Sequence, residues 1–345
     1  MKLEFKAAVL FKQKKKLEIV NIKFRDQLKR GQIAVELKYS GICGSQIGEI
    51  DGIKGKDKYL PHLLGHEASG VVINKHSSVK SVKKNDHVVL HWKKSNLLQS
   101  ETPRYFNGHK KINAGPVTTF NQIAIVSENR LTKIPKSINL KHACLLGCSL
   151  TTAFGTILNY DYIKPKDKVL IIGCGAIGLP LITALKINEN KSIIAIDINK
   201  KNLILAKKMG ANKIYLSKKN IGVLIRKIIK KSEINRIIDT TGNSKVIENA
   251  YKSLDTKGNL ILLGVPHHKE TISINTLDIN LGKKIVGSHG GGIEPSKDII
   301  KIYNLAKNKF KFDSYITKEI NLFEINKYIE LIKNKKISGK VIIKF

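Results

Sequence analysis

Three short stretches of this 345-residue chain hold the side chains best suited to chemistry. They are Gly41-Ile42-Cys43-Gly44-Ser45, Leu64-Gly65-His66-Glu67-Ala68-Ser69-Gly70 and Gly147-Cys148-Ser149-Leu150-Thr151-Thr152. Together they offer two thiols, an imidazole, a carboxylate and a hydroxyl. None has the close pairing of a structural metal site, in which two ligands lie two to four residues apart and a second pair follows. Single ligands drawn from separate loops suit a catalytic metal, which keeps one coordination position for water or substrate. Each residue also has a plainer reading. A lone cysteine in apolar sequence is most often core, His66 could be a satisfied loop histidine, and Glu67 a surface acid. Cys144, in a helix-like run, and Cys174, inside a glycine turn, read as buried.

A second kind of chemistry is written between Lys168 and Asp197, KVLIIGCGAIGLPLITALKINENKSIIAID. The apolar run Val169 to Ile172 reads as a strand buried on both faces. Gly173, Gly175 and Gly178 then give G-x-G-x-x-G at the entry to a helix. Gly173 takes the tight turn, Gly175 lets backbone approach a pyrophosphate, and Gly178 lets helix and strand pack closely. The helix N-terminus offers unpaired N–H groups to the phosphates. Asp197, nineteen residues after Gly178, ends the next apolar run, where it would accept hydrogen bonds from ribose hydroxyls and repel a 2′-phosphate. This context favours NAD over NADP.

The elements around these stretches define two regions. Residues 1–148 alternate short apolar and polar segments with turn signals, as in AAVLF, IAVELKYSGIC, ASGVVINK, DHVVLHW and FNQIAIVS, and predict a mainly-β domain. Residues 149–289 alternate strands and helices, as a doubly wound parallel sheet requires. Beyond about Gly290 the chain reads as a helical segment, Ser296 to Lys307, followed by strand-like runs to the C-terminal VIIKF.

The formal charge of +35 raises the question of a nucleic-acid or membrane partner. Only six of the 62 basic residues are Arg, and neither Arg nor aromatic residues cluster as bidentate and stacking contacts to nucleic acid require. The charge reads as a lysine bias on solvated faces, and no nucleic-acid partner is expected. No stretch reads as a membrane span or a secretory signal, and four scattered cysteines make no disulfide framework. A cytoplasmic protein is the expectation.

Taken in order, GICGS, GHE, LGCSLTTAFG, GCGAIG and AIDINKKNLILAKKMGA resemble the zinc-dependent medium-chain alcohol dehydrogenase family over essentially the whole chain. The resemblance implies an α/β protein with a GroES-like catalytic domain, residues 1–148 completed by 290–345, and a Rossmann domain, residues 149–289. It implies that Cys43, His66 and Cys148 bind the catalytic zinc, that Glu67 is the acid beside it and that Ser45 touches the substrate oxygen. Thr152 and Ile177 fall near the nicotinamide, and Lys340 falls where relatives carry a basic residue for the pyrophosphate. The activity implied is hydride transfer between NAD(H) and an alcohol, polyol or sugar hydroxyl, or the matching carbonyl. Homodimers or homotetramers are implied as well.

Three departures from the family pattern stand out. Gly48 occupies the place of a histidine that finishes a proton relay in many relatives, and Gln46 that of an aspartate that orients the zinc-bound imidazole. Residues 91–118 hold no cysteine where many relatives carry a four-cysteine lobe, so one zinc per subunit is expected. His91, Trp92, Tyr105 and His109 in that segment could face a substrate or belong to a packed surface loop. Two other readings stand beside the leading one: a zinc-free quinone or enoyl reductase of the same superfamily, and an NAD-binding protein without turnover.

Overall fold

The structure is a computed structural model, and it describes residues 2–218 and 220–345. The chain forms two compact units. The first comprises residues 1–151, 294–303 and 316–345, and the second residues 152–293 and 304–315.

The first unit is built on two sheets. In one, the strands run in the order His62–Leu63, Leu3–Leu10, Glu18–Phe24, Tyr105–Asn107 and Lys110–Ile112. In the other, Leu131–Ile134, His87–Leu90, Ala68–Lys75, Gln32–Gly41, Lys340–Lys344 and Ile316–Ile320 lie side by side, and Ile123–Ser127 also pairs with Gln32–Gly41. Ile33, Val35, Leu37, Val72, Val88 and Leu90 from these strands share one buried cluster. Each such side chain contributes about 1.5–3 kcal/mol on burial. The C-terminal strand is antiparallel to Gln32–Gly41, with Ile342 opposite Gly41.

The strand-like reading after Lys307 needs correction. That region does contain Ile316–Ile320 and Lys340–Lys344, but between them lies the helix Ile325–Lys333. Its apolar residues Ile325, Tyr328, Ile329 and Ile332 recur at helical spacing and meet the same cluster as Val341 and Ile343. Asn321 and Glu324 form a capping box at its approach.

The second unit holds a six-stranded sheet in the order Lys213–Leu216, Ser192–Asp197, Lys168–Ile172, Arg236–Asp239, Asn259–Leu262 and Lys284–Gly287. Every neighbouring pair is parallel. This is the doubly wound order whose reversal beside the first strand opens a crevice for a dinucleotide. The central runs Val169–Ile172 and Ile193–Ile196 are buried along their length, which explains their continuous rather than alternating apolar character. Segment 304–315, expected with the first domain, clusters with this unit, where the Tyr315 hydroxyl donates to the Ala176 carbonyl at 2.6 Å. Among the described residues, no helix is long and apolar enough to cross a membrane.

Candidate active site

Cys43 lies just beyond the strand Gln32–Gly41 and is the N-cap of the helix Gly44–Asp51. His66 precedes the strand Ala68–Lys75, and Cys148 sits between a 3-10 turn at Cys144–Gly147 and the helix Ser149–Leu158. Sheet pairing joins the first two: Ser40 lies opposite Ala68, and the Gly41 N–H donates to the Glu67 carbonyl at 3.0 Å. As a result the ligand-capable atoms of Cys43, His66 and Cys148 all lie within 4.8 Å of one another. They are the cluster of this kind found among the described residues.

The charge state suits a cation. Cys148 donates a hydrogen bond to Cys43, which holds the Cys43 thiol well below the ordinary thiol range against the cost of burial, with help from His66 and Lys340. The same bond and burial push Cys148 well up. Nε2 of His66 is buried and has no hydrogen-bond partner. On its other side, Nδ1 lies 2.6 Å from Gln46 Nε2, while Gln46 Oε1 is buried without a hydrogen-bond partner. Turning the amide over puts its oxygen toward the ring, so that Nδ1–H donates to it and Nε2 presents a lone pair to a metal. A soft, nitrogen-and-sulfur donor set with one orphaned imidazole nitrogen fits zinc.

Around the cluster, the Ser45 hydroxyl lies 3.4 Å from the Cys43 sulfur. Glu67 is fully buried and pairs with the Lys340 ammonium, while its other oxygen accepts from the Ser149 N–H at 3.4 Å. Lys340, expected at a pyrophosphate, is itself only 1% exposed. Gly48 is buried, and the Ile53 side chain occupies the space a Cβ there would need. Cys144 and Cys174 are fully buried and burial pushes both thiols up, which leaves them inert.

The segment 91–118 is mostly packing. Tyr105 is fully buried, with its hydroxyl accepting from the Ile125 N–H at 3.0 Å. His91 is fully buried between the Lys93 carbonyl at 2.7 Å and the Thr132 hydroxyl at 3.0 Å. Trp92 is half-buried and His109 exposed.

In the second unit the glycine turn has the geometry its spacing predicts. Gly173 has φ of 93°, a left-handed value, and a Cβ on Gly178 would strike the Gly173 carbonyl. A Cβ on Gly175 would meet nothing within 4 Å, so the backbone there is open to a ligand. Ile177 is the N-cap of the helix Gly178–Ile187. Asp197 closes its strand and accepts from the Cys174 and Asn199 N–H groups, each at 2.7 Å, and from Asn202 at 3.2 Å. Its carboxylate is thus oriented with lone-pair capacity left over. Thr152 is buried in the helix Ser149–Leu158. Sequence reasoning missed Thr240, whose hydroxyl donates to the Gly173 carbonyl at 2.9 Å, and Tyr315. Both brace the turn from distant loops and carry no local signal.

One chain therefore carries a unit of dinucleotide-binding topology and a centre of two cysteines and one imidazole, the parts a metal-dependent oxidoreductase requires. Residues 29–136 match the family profile described as alcohol dehydrogenase GroES-like domain, and residues 176–307 match that of zinc-binding dehydrogenase. The S-(hydroxymethyl)glutathione dehydrogenase of Escherichia coli strain SMS-3-5 is 29% identical over 99% of this chain and 100% of its own length. Benzyl alcohol dehydrogenase from Acinetobacter calcoaceticus superposes with a TM-score of 0.86 at 25% identity, covering 99% of each chain. An alcohol dehydrogenase zinc-binding domain protein from Burkholderia ambifaria superposes at 0.90 over 100% of each chain, and at 22% identity speaks for the fold alone. The chain belongs to the zinc-dependent medium-chain alcohol dehydrogenase family.

Proposed function

We propose that this protein is an NAD-preferring dehydrogenase with one catalytic zinc, which moves hydride between the nicotinamide and an alcohol, polyol or sugar hydroxyl, or the matching aldehyde or ketone. The observation that carries this reading is the convergence of Cys43, His66 and Cys148 within 4.8 Å, on a chain that also bears the open glycine turn. Those three residues would hold zinc, which when bound polarises the substrate oxygen and stabilises negative charge on it. The relatives act on S-(hydroxymethyl)glutathione and benzyl alcohol by name, which supports an alcohol and leaves the rest of the molecule open. The absence of cysteine from residues 91–118 supports a single metal.

The residues of the chain divide the remaining work. Ser45, beside Cys43, takes the proton of the substrate hydroxyl and passes it on. With Gly48 in the relay position, the proton then leaves through water, the ribose or another group rather than through an imidazole at that position. Gln46 orients His66 without adding charge. In the other unit Gly173, Gly175 and Gly178 receive the pyrophosphate, while Thr152 and Ile177 flank the nicotinamide. Asp197 takes the ribose hydroxyls and disfavours a 2′-phosphate. Lys340 is assigned to Glu67 rather than to the pyrophosphate, because its ammonium is buried against that acid. Self-association as a homodimer or homotetramer is part of this reading, and the exposed apolar residues Leu277, Ile279 and Leu281, just before the edge strand Lys284–Gly287 in sequence, support it.

An absorbance screen for NADH against alcohols, polyols and aldehydes tests the activity, and Asp197→Ala tests the cofactor. The variant should lose preference for NAD over NADP in kcat/KM. An unchanged ratio would remove Asp197 from that role.

A further inference from the structure

Asp239 closes the strand Arg236–Asp239, where it lies opposite Ile172, the last residue before the glycine turn. It is fully buried, and among the described residues no lysine, arginine or histidine pairs with its carboxylate. The groups that meet it are neutral. Oδ1 accepts from the Thr241 hydroxyl at 2.6 Å and the Thr241 N–H at 3.2 Å, and Oδ2 accepts from the Gly242 N–H at 2.9 Å. The Asp239 carbonyl accepts from the N–H groups of Leu263 at 2.8 Å and Gly264 at 3.1 Å. Gly264 lies so close to Gly242 that a Cβ on it would strike the Gly242 nitrogen. Between the acid and its donors stands Thr240, whose N–H donates to the Ile172 carbonyl at 3.0 Å and whose hydroxyl donates to the Gly173 carbonyl at 2.9 Å. One residue thus joins the glycine turn, residues 240–243 and residues 263–264, at the carboxyl ends of the strands, where a doubly wound sheet takes its ligand.

By itself such an acid is destabilising. A carboxylate taken out of water without a cation loses solvation that neutral donors replace only in part, and burial pushes Asp239 above the ordinary carboxylate range. Both of its oxygens only accept, which is the pattern of the ionised form. Hydrogen bonds to an ionised acceptor are roughly twice as strong as neutral ones, so the acid stiffens the loop beyond what an asparagine or serine in the same turn would achieve. We propose that Asp239 is a positioning residue for the nucleotide: it holds residues 240–243 so that Thr240 keeps the Gly173 carbonyl, and with it the backbone of the glycine turn, in the orientation that receives a pyrophosphate. This rests on the reading of that turn as the nucleotide site.

A double-mutant cycle read by NADH fluorescence titration of the full chain tests this. If the wild type binds no NADH, the nucleotide reading fails whatever Asp239 does. With binding established, Asp239→Asn, which must turn an amide N–H toward one of the donors, should weaken NADH at least about fivefold. Thr240→Val, which takes the hydroxyl from the Gly173 carbonyl, should weaken it about threefold. The double variant should bind within about twofold of Asp239→Asn alone, because the acid acts through the threonine. Asp239→Asn binding NADH like the wild type, whether or not it melts at a lower temperature, would make the acid a packing residue and overturn the proposal. Losses that multiply in the double variant would overturn it as well. If Asp239→Asn fails to fold, Thr241→Val, which removes one donor and leaves the acid, takes its place in the cycle: weakened binding that does not multiply with Thr240→Val supports the proposal, and wild-type affinity or multiplied losses overturn it.

Discussion

The hydroxyl of Tyr315 donates to the carbonyl of Ala176 at 2.6 Å, tying a residue 139 positions away to the middle of the glycine turn. Tyr315 is fully buried against Phe310, ring centroids 5.2 Å apart. The contact fixes backbone of the turn proposed to receive the pyrophosphate, so its loss should be felt in cofactor binding as well as in stability. Tyr315→Phe keeps the ring and removes the bond, at a cost of about 1 kcal/mol. NADH fluorescence titration should show affinity weakened by up to about fivefold; an unchanged Kd would detach Tyr315 from the turn's function.

Gln46 is the second lever. Its amide lies 2.6 Å from Nδ1 of His66; with the oxygen turned toward the ring it orients the imidazole and selects the tautomer that leaves Nε2 free. Gln46→Ala should lower metal affinity by about 10- to 100-fold in competition with a chromophoric chelator. Gln46→Glu, which offers the ring a charged acceptor, should retain it. Equal affinity for the alanine variant and the wild type would show that the amide does not orient the ring.

His91 makes the fold sensitive to acid. Burial pulls its pKa from 6.5 down to about 4, so the folded protein keeps the imidazole neutral while the unfolded chain takes up a proton first. The stabilisation is fully present above pH 6.5 and is lost as the pH falls from there to about 4. Its size is on the order of 3 kcal/mol. Urea unfolding across this range should show a steeper loss of stability for the wild type than for His91→Gln, which cannot titrate. Parallel profiles would contradict the assignment.

Local signals made much of this molecule legible before its structure. The turn at Gly173, Gly175 and Gly178 works through backbone conformation and clearance, which are properties of the few residues involved. Val169–Ile172 and Ile193–Ile196 announce a two-sided sheet because every position is apolar. The helix Ile325–Lys333 was readable from Ile325, Tyr328, Ile329 and Ile332, but nine residues with isoleucine-rich composition imitate a strand. What no local reading could supply is pairing at a distance. Lys340 with Glu67 and Tyr315 with Ala176 depend on which strands and loops the fold brings together. The departure at Gly48 was visible in sequence, whereas the use of its space by Ile53 was not.

The central claim is that Cys43, His66 and Cys148 hold a single zinc that the hydride chemistry requires. Elemental analysis of the purified protein, beside Cys148→Ser prepared in the same way, tests it most directly. The wild type should carry one zinc per chain. The variant should carry none and lose turnover while binding NADH with wild-type affinity, since the glycine turn lies in the other unit. A wild type without zinc, or a variant that keeps both zinc and activity, would contradict the account.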